Sequence, residues 1–383
     1  MMKEEWTYKK LGEVCEILDS RRKPITKSKR ESGSIPYYGA TGLLDYVKDY
    51  IFDEKLVLLG EDGAKWGAGE NSSYIIEGKT WVNNHAHTLR PKRDVLIDEF
   101  LVYYLNYSNL LPYITGVTVP KLNQEKMRSI EIPIGSLNKQ RSIISRLDAA
   151  FADIDALKAN AEKQLSEARQ LFQAELTECM IPKDGWQKKK LKDITSKIGS
   201  GATPKGGQKV YINEGTTLVR SLNVHNAFFK YDDLAHINQA ASEQLNGVEL
   251  KKDDVLFNIT GASIARCCVL PDDVLPGRVN QHVSILRPIK EKVLSKFLCL
   301  GLLSSHHQEE LLSIGIAGST RQALTKSDLE THLFPIPSLE DQQQIVSRLD
   351  SLSTRIKQLE EVQRKTIAEC NALKQALLRE VFE

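Results

Sequence analysis

The end of this chain repeats its middle. The segment Ile132-Pro133-Ile134-Gly135-Ser136-Leu137-Asn138-Lys139-Gln140-Arg141-Ser142-Ile143-Ile144-Ser145-Arg146-Leu147-Asp148 returns as Phe334-Pro335-Ile336-Pro337-Ser338-Leu339-Glu340-Asp341-Gln342-Gln343-Gln344-Ile345-Val346-Ser347-Arg348-Leu349-Asp350. Ten of the 17 positions are identical at a constant offset of 202, where chance gives about one, so the chain is an internal duplication. Weaker matches extend it. Trp6, Lys9, Lys10, Leu11 and Val14 correspond to Trp186, Lys189, Lys190, Leu191 and Ile194. Val82–Pro91 matches Val279–Pro288 at six of ten positions. The offset grows along the chain, so the second copy carries insertions, mostly before residue 255. Insertions of this kind collect in surface loops, where specificity resides.

Each copy has two parts. The first is punctuated and strand-like: 55–60, 73–76 and 86–90 in one copy, 255–259 and 282–286 in the other, followed by short helices near 97–105 and 293–303. The second part is a long helix. Apolar residues recur in steps of four and three at Ile143, Leu147, Ala150, Ile154, Leu157, Ala161, Leu165, Ala168, Phe172 and Leu176. They recur again at Ile345, Leu349, Leu352, Ile356, Leu359, Val362, Ile367, Cys370, Leu373 and Leu377. This is a coiled-coil seam. A helix of about 40 residues is ~60 Å long, and so narrow a seam needs a partner. The alternative is two helices packed separately on their own domains; the matching seams favour an antiparallel intramolecular pair.

The expected fold is therefore α+β. Two similar mixed α/β domains are each followed by a long helix, in a pseudo-two-fold internal repeat. The expected segments are 1–137 and 182–339 for the domains, 138–181 and 340–383 for the helices. A duplicated chain of this kind suits a ligand that is itself two-fold, such as duplex DNA.

Composition narrows the class. At 383 residues with 41% hydrophobic content, two cores can form. No apolar run is long enough to span a bilayer, and the first residues contain no signal-peptide core, so the chain reads as cytoplasmic. The six cysteines show no framework or zinc spacing. A net charge of +2 does not mark a nucleic-acid binder, but two runs are basic: Arg21-Arg22-Lys23-Pro24-Ile25-Thr26-Lys27-Ser28-Lys29-Arg30, and Lys188-Lys189-Lys190 with Lys192. Either is equally consistent with a solvated loop.

Catalytic signatures are missing. There is no Asp/Asn-Pro-Pro-Tyr/Phe motif for a flipped base and no HExxH. His306 and His307 are adjacent, face different sides of a helix and make poor co-ligands. Gly199–Gly207 fails the P-loop pattern, since no Gly-Lys-Ser/Thr follows. No catalytic residue and no metal site is expected.

The order of these elements resembles the specificity subunit of Type I restriction-modification systems over essentially the whole chain. The blocks at 132–148 and 334–350 carry the resemblance. Ile35–Gly42, Leu59–Ala64, Val82–Pro91, Ser200–Lys205 and Leu218–Val224 add to it. The resemblance implies a protein without activity of its own. Each α/β domain would be a target-recognition domain reading one half of a split, asymmetric site in double-stranded DNA. The helices would be conserved spacers that set the distance between half-sites and dock two methyltransferase subunits. S-adenosylmethionine would sit on those subunits; ATP and Mg would sit on a restriction subunit completing the complex. A ~60 Å rod can separate two readers by more than one ~34 Å turn of DNA. One departure is visible: Gly39-Ala40-Thr41-Gly42 has no counterpart in the second copy, where Arg220-Ser221-Leu222-Asn223 takes another form.

Base reading needs donors and acceptors, and phosphate contact needs cations and amides. The candidates in the first domain are Tyr37, Tyr38, Thr41, Lys65, Trp66, Asn83, Asn84, His85 and Lys121. In the second they are Lys205, Arg220, Asn223, His225, Thr260, Ser263, Asn280, Gln281, His282, Arg321 and Gln322. Asn83/His85 and Asn280/His282 have a rival role, since recurrence in both copies suits hydrogen bonds that hold the fold. Tyr37, Tyr38 and Trp66 have core packing as an alternative, for Trp66 on equal terms with contact. The competing function is a coiled-coil scaffold for protein partners that reads no DNA; a self-contained modification enzyme is disfavoured by the missing motifs.

Overall fold

The computed structural model describes residues 6–116, 118–317 and 323–383. It divides into two compact units, Met1–Glu162 with Gln363–Glu383, and Lys163–Val362. The units do not follow chain order: each owns the start of one long helix or the end of it, together with the opposite part of the other.

In the first unit, Leu56–Gly60 is the hub. All five residues are buried, because both faces of the strand are covered and its side chains alternate between two cores. Val57 and Leu59 face a core with Phe100, Leu101 and Leu105 from the helix Asp98–Tyr107. Leu56 and Leu58 face Phe52, Ile76 and Val82. The antiparallel sheet runs Cys15–Ile17, Ala86–Pro91, Leu56–Gly60, Ser73–Ile76. A second sheet runs Gly42–Val47, Ile35–Gly39, Lys79–Val82, Phe52–Asp53, its central pair parallel.

The second unit repeats this plan. Thr195–Ser200, Val283–Pro288, Val255–Asn258 and Cys267–Val269 form the antiparallel sheet. Val255 and Phe257 face one core while Leu256 faces the other. Thr216–Val219 and Gly277–Val279 form the parallel pair. The insertions lie where the offset grows. In the first unit, Ile35–Gly39 turns directly into Gly42–Val47, with Gly42 at φ +124°, a conformation glycine adopts readily. In the second, Thr216–Val219 leads into a 3-10 turn at Ser221–Asn223 and the small hairpin Val224–His225/Phe228–Phe229 before Ala235–Ile237 pairs back. A further helix, Ser305–Ala317, follows Ser295–Leu302 and carries His306 and His307.

The long helices are Leu137–Cys179 and Leu339–Phe382. The repeated block has the same physical cause in both copies. Ser136 and Ser338 cap the helices through hydroxyls that accept the amides of Lys139 and Asp341. Gln140, fully buried, accepts the Ile97 amide at 2.9 Å and donates to the carbonyls of Val95 and Gly135. Gln342 accepts the Leu294 amide at 2.9 Å and donates to Lys292 and Pro337. Each glutamine fastens a helix start to its own domain.

The helices pair antiparallel. In the first unit Arg146 meets Glu380 at 2.6 Å, Asp155 meets Lys374 at 2.6 Å and Lys158 meets Asn371 at 3.4 Å. In the second, Arg169 meets Glu360 and Glu175 meets Arg348. Partner numbers fall on one helix as they rise on the other. Leu147, Ile154, Ala161 and Ala168 are buried at heptad spacing. Three seam expectations are corrected: Leu157, Val362 and Leu373 are 52%, 57% and 51% exposed. Half-buried Gln363 and Lys374 stand inward beside Val362 and Leu373, while Cys370 is buried on the expected seam, so apolar spacing missed the stripe by one residue at those two positions. No described helix is long and apolar enough to cross a membrane.

Candidate nucleic-acid interface

Both units build the same turn after the parallel strand pair. In the first, the Asn83 amide donates to the Tyr38 carbonyl at 3.0 Å, and Asn83 Oδ1 accepts the His85 amide at 2.8 Å. In the second, Asn280 donates to Val219 at 3.0 Å and accepts the His282 amide at 3.0 Å. Both asparagines are buried. The rival role therefore describes them: they hold the turn, and they present the histidines.

What surrounds the turn differs. Backbone bonds give the correspondence. The Glu61 amide donates to the His85 carbonyl and its carbonyl accepts Leu122; Ile259 bonds in the same way to His282 and Leu324. Strand register pairs His87 with Leu59, and Ser284 with Phe257. Glu61 thus corresponds to Ile259 and His87 to Ser284.

In the first unit these places hold an ionic network. Glu61 accepts from Arg22 at 2.5 Å and from Lys121 at 2.7 Å. His87 is 1% exposed, with Nδ1 2.6 Å from Asp19 and Nε2 2.7 Å from the Leu122 carbonyl. Both ring nitrogens face oxygens, so the imidazolium is the form that donates to both. Burial pushes the Asp19 carboxyl up, but the hydrogen bond and charge of His87, the Thr88 amide and Arg22 outweigh it and hold the group below its ordinary value. Glu61 behaves likewise, with Lys121 and Arg22 overcoming burial. The Glu61 hydrogen bond raises Lys121, which keeps its charge at a side chain 43% exposed. Asp62 meets His85 at the surface. Asp19, Glu61 and His87 could crowd a cation, but Arg22 and Lys121 already neutralise them.

In the second unit the network is neutral. Thr203 donates to Gln281 Oε1 at 2.7 Å, the Gln281 amide lies 3.0 Å from His282 Nε2, and His282 Nδ1 lies 2.6 Å from Thr260 Oγ1. With Gln281 donating to Nε2, the Nδ1–H tautomer donates to Thr260. Gln281 is exposed at the end of this relay.

The remaining candidates divide by exposure. Thr41, Lys65, Asn84 and Lys205 are exposed and Ser263 is half-buried. Tyr38 is half-buried against Tyr74, and His225 stacks on Phe228 at 4.8 Å. Arg220 donates to the Asp233 carbonyl and lies over Tyr211 at 5.7 Å. Three expectations are corrected. Tyr37 is 1% exposed; its hydroxyl accepts the Ile25 amide at 3.1 Å and its ring carries the Arg30 guanidinium at 4.4 Å, so it supports the basic loop from beneath. Trp66 is buried and donates to the Gly60 carbonyl at 2.9 Å. Asn223 is fully buried, accepting the Arg220 amide and donating to the carbonyls of Lys230 and Asp232. Each is consumed inside the fold. Arg321 and Gln322 lie outside the described residues. In the basic loop, Arg21, Arg22 and Arg30 are tied to Glu54, Glu61 and Asp45, while Lys23, Lys27 and Lys29 stay exposed.

Asp19, Arg22, Glu61, His87 and Thr203 escaped the sequence reading as site residues. They come from separate segments, and only strand pairing assembles them. Arg22 lay in the basic run and Glu61 in the Leu59–Ala64 block, but no spacing linked the two.

The family model for the Type I restriction modification DNA specificity domain matches the chain twice, at residues 3–167 and 183–369. A Haemophilus influenzae protein assigned as a type I restriction enzyme specificity subunit is 30% identical over 361 residues, 91% of this chain and 88% of that one. Among solved structures, a chain from a study of complex assembly and conformational transition of the type I R-M system matches with a TM-score of 0.75 at 19% identity, covering 100% of this chain and 99% of its own. The HsdS subunit from Thermoanaerobacter tengcongensis matches at 0.56 and 19%, covering 99% and 97%. Two specificity domains, each feeding a long helix of an antiparallel pair, define the class. The chain belongs to the family of type I restriction-modification DNA specificity proteins.

Proposed function

We propose that this chain is the DNA sequence-specificity subunit of a type I restriction-modification complex, with each unit reading one half of a bipartite, asymmetric site. The observation that carries this reading is the pair of turns around Asn83 and Asn280. One backbone frame recurs, while the side chains it presents change from an ionic set to a neutral one. Readers of two different half-sites need this combination. In the first unit the exposed positions are Thr41, Lys65, Asn84, His85 and Lys121, with Lys23, Lys27 and Lys29 beside them for phosphate. In the second, Lys205 and Gln281 are exposed, with Thr260, Ser263 and His282 half-buried beside them.

In this reading the helix pair sets the spacing between half-sites and docks two methyltransferase subunits, and a restriction subunit completes the nuclease. The chain itself is non-catalytic and works in the cytoplasm. S-adenosylmethionine belongs to the methyltransferase, and ATP and Mg to the restriction subunit. Adenine-methylation mapping of the host genome tests this: one gapped motif, lost on deletion of the gene, is expected. Selection from random duplexes by the chain with its methyltransferase should enrich the same motif. No enrichment would favour the protein-assembly scaffold, and methyl transfer by the chain alone would reject both.

A further inference from the structure

Outside the reading face, the second unit buries polar groups where the first has hydrocarbon. The Leu191 amide donates to the His332 carbonyl at 3.0 Å, and the Leu11 amide donates to the Ile130 carbonyl at 2.8 Å. His332 therefore occupies the place of Ile130, a core residue 2% exposed. His332 is itself 3% exposed and lies against His307, also 3% exposed, with His307 Nδ1 2.9 Å from His332 Nε2. That contact satisfies one nitrogen of His332. The other, Nδ1, is buried with no hydrogen-bond partner. A buried polar atom left without a partner is destabilising, so it needs an explanation. Glu310 faces it at 3.9 Å.

One ring nitrogen from each histidine and a Glu310 oxygen all lie within 4.8 Å of one another. His307 and Glu310 share a face of the helix Ser305–Ala317, being three residues apart. His332 arrives from the C-cap of the helix Lys326–Thr331. His307 and Glu310 also line a cavity of about 480 Å³ with His306, Thr177, Met180 and Lys188. We propose that His307, Glu310 and His332 form a zinc(II) site. Two neutral imidazoles and a carboxylate suit a borderline first-row divalent ion and not Mg or Ca, which prefer all-oxygen sets. Ligand atoms around tetrahedral zinc sit ~3.3–3.5 Å apart, as bonds of ~2.0–2.2 Å require. With His332 Nδ1 as the ligand, the Glu310 oxygen at 3.9 Å closes by about half an ångström, and His307, whose 2.9 Å contact is to the other ring nitrogen of His332, turns so that one of its own nitrogens faces Nδ1, the three atoms starting within 4.8 Å of one another. The fourth position opens to the cavity, where water completes the set. The missing cysteine spacing does not bear on this site, which uses no sulfur. The ion fastens the helix Ser305–Ala317 to the strand Leu333–Ile336, which pairs with Gln187–Lys190.

The test uses the full chain, stripped with chelator, exposed to zinc, desalted and analysed for metal; cobalt(II) supplies a visible ligand-field spectrum. About one equivalent of zinc per chain is expected, with a tetrahedral cobalt spectrum. Glu310→Gln, at a side chain 44% exposed, should keep the circular dichroism of the parent and lose at least about tenfold in zinc affinity. His332→Gln should lose as much. Zinc should raise the melting temperature of the parent and not of Glu310→Gln. Zinc retention far below one equivalent in the parent overturns the site and leaves a buried histidine hydrogen bond only. Retention undiminished by Glu310→Gln overturns it too, whatever His332→Gln does.

Discussion

The turn around Asn83 and the turn around Asn280 share a backbone and differ in almost everything they hold. Glu61 and His87 stand where the second unit has Ile259 and Ser284. One surface is braced by paired charges and the other by a relay of neutral hydrogen bonds. The anchoring residues do not differ in this way. Gln140 and Gln342 dock the two helix starts by the same three bonds. Arg90 and Arg287, at matching strand positions, each clamp an acid through two nitrogens, Glu54 in one unit and Asp254 in the other. Duplication kept the groups that position the loops and changed the groups the loops display.

The sharpest way to break this comparison is to move one side chain across it. Glu61→Ile installs the residue of the second unit in the first. It leaves Arg22, Lys121 and His87 facing one another without the carboxylate between them. Breaking a buried ion pair from one side costs about 3–5 kcal/mol, and urea unfolding followed in the first unit should show a loss of that order. A near-neutral result would mean that the network is ornamental and the two turns are interchangeable. Gln342→Leu comes next, at about 3 kcal/mol, since three bonds of about 1 kcal/mol each disappear; Gln140→Leu should match it. A large effect in one copy and none in the other would show that the anchors have also diverged.

Acid should separate the units less sharply. Asp19 and Glu61 have folded-state values below their unfolded ones. Their contribution is present above the unfolded values, 3.8 and 4.5. It is lost as pH falls through the lower folded values, because the unfolded chain takes up protons first. Urea midpoints measured on descent below about pH 5 should fall, and Glu61→Gln should flatten the slope. An unchanged slope would place the acid response elsewhere.

Much of this comparison was legible in the sequence and some of it was not, for a physical reason. Local patterns announce themselves: the two apolar seams, Leu56–Gly60 as a continuous apolar run, and the repeated Asn-x-His turn. The ionic network does not. Asp19, Arg22, Glu61, His87 and Lys121 span about a hundred residues, and strand register alone brings them together. The same limit explains Tyr37, Trp66 and Asn223. Each has a polar atom that could read a base, and only the fold shows that Ile25, Gly60 and the loop from Lys230 already occupy those atoms. The seam failed more narrowly. A 3.5-residue average fixes which helix face is apolar but leaves the stripe free by one residue, and Val362 and Leu373 fell on its outer side.

If the two turns read different half-sites, a change at one should be felt at one half-site only. Gln281→Ala removes the exposed end of the neutral relay while Asn280 keeps the turn. Binding by the assembled complex to its own motif should weaken by about 1–3 kcal/mol, with discrimination relaxed at positions in one half. Titration against single-base variants of the motif measures this. Uniform weakening across both halves would assign Gln281 to phosphate contact or to stability.

The smallest effect belongs to an exposed position on the helix pair. Leu157 is 52% exposed although it falls on the apolar spacing of the sequence, whereas Ile154, one turn earlier, is 6% exposed. Leu157→Lys should change stability by less than about 0.5 kcal/mol, while Ile154→Ala should cost about 2–5 kcal/mol through the cavity it leaves. These variants differ in packing and share a helix, so their ratio reports how deeply the pair is seated. A costly Leu157→Lys would mean that something covers that face of the helix in solution, and in the complex proposed above a docked methyltransferase subunit would be such a cover. Repeating the measurement with the methyltransferase present distinguishes the two cases. A penalty that appears only in the complex assigns the face to docking, and a penalty in the isolated chain assigns it to the helix pair itself.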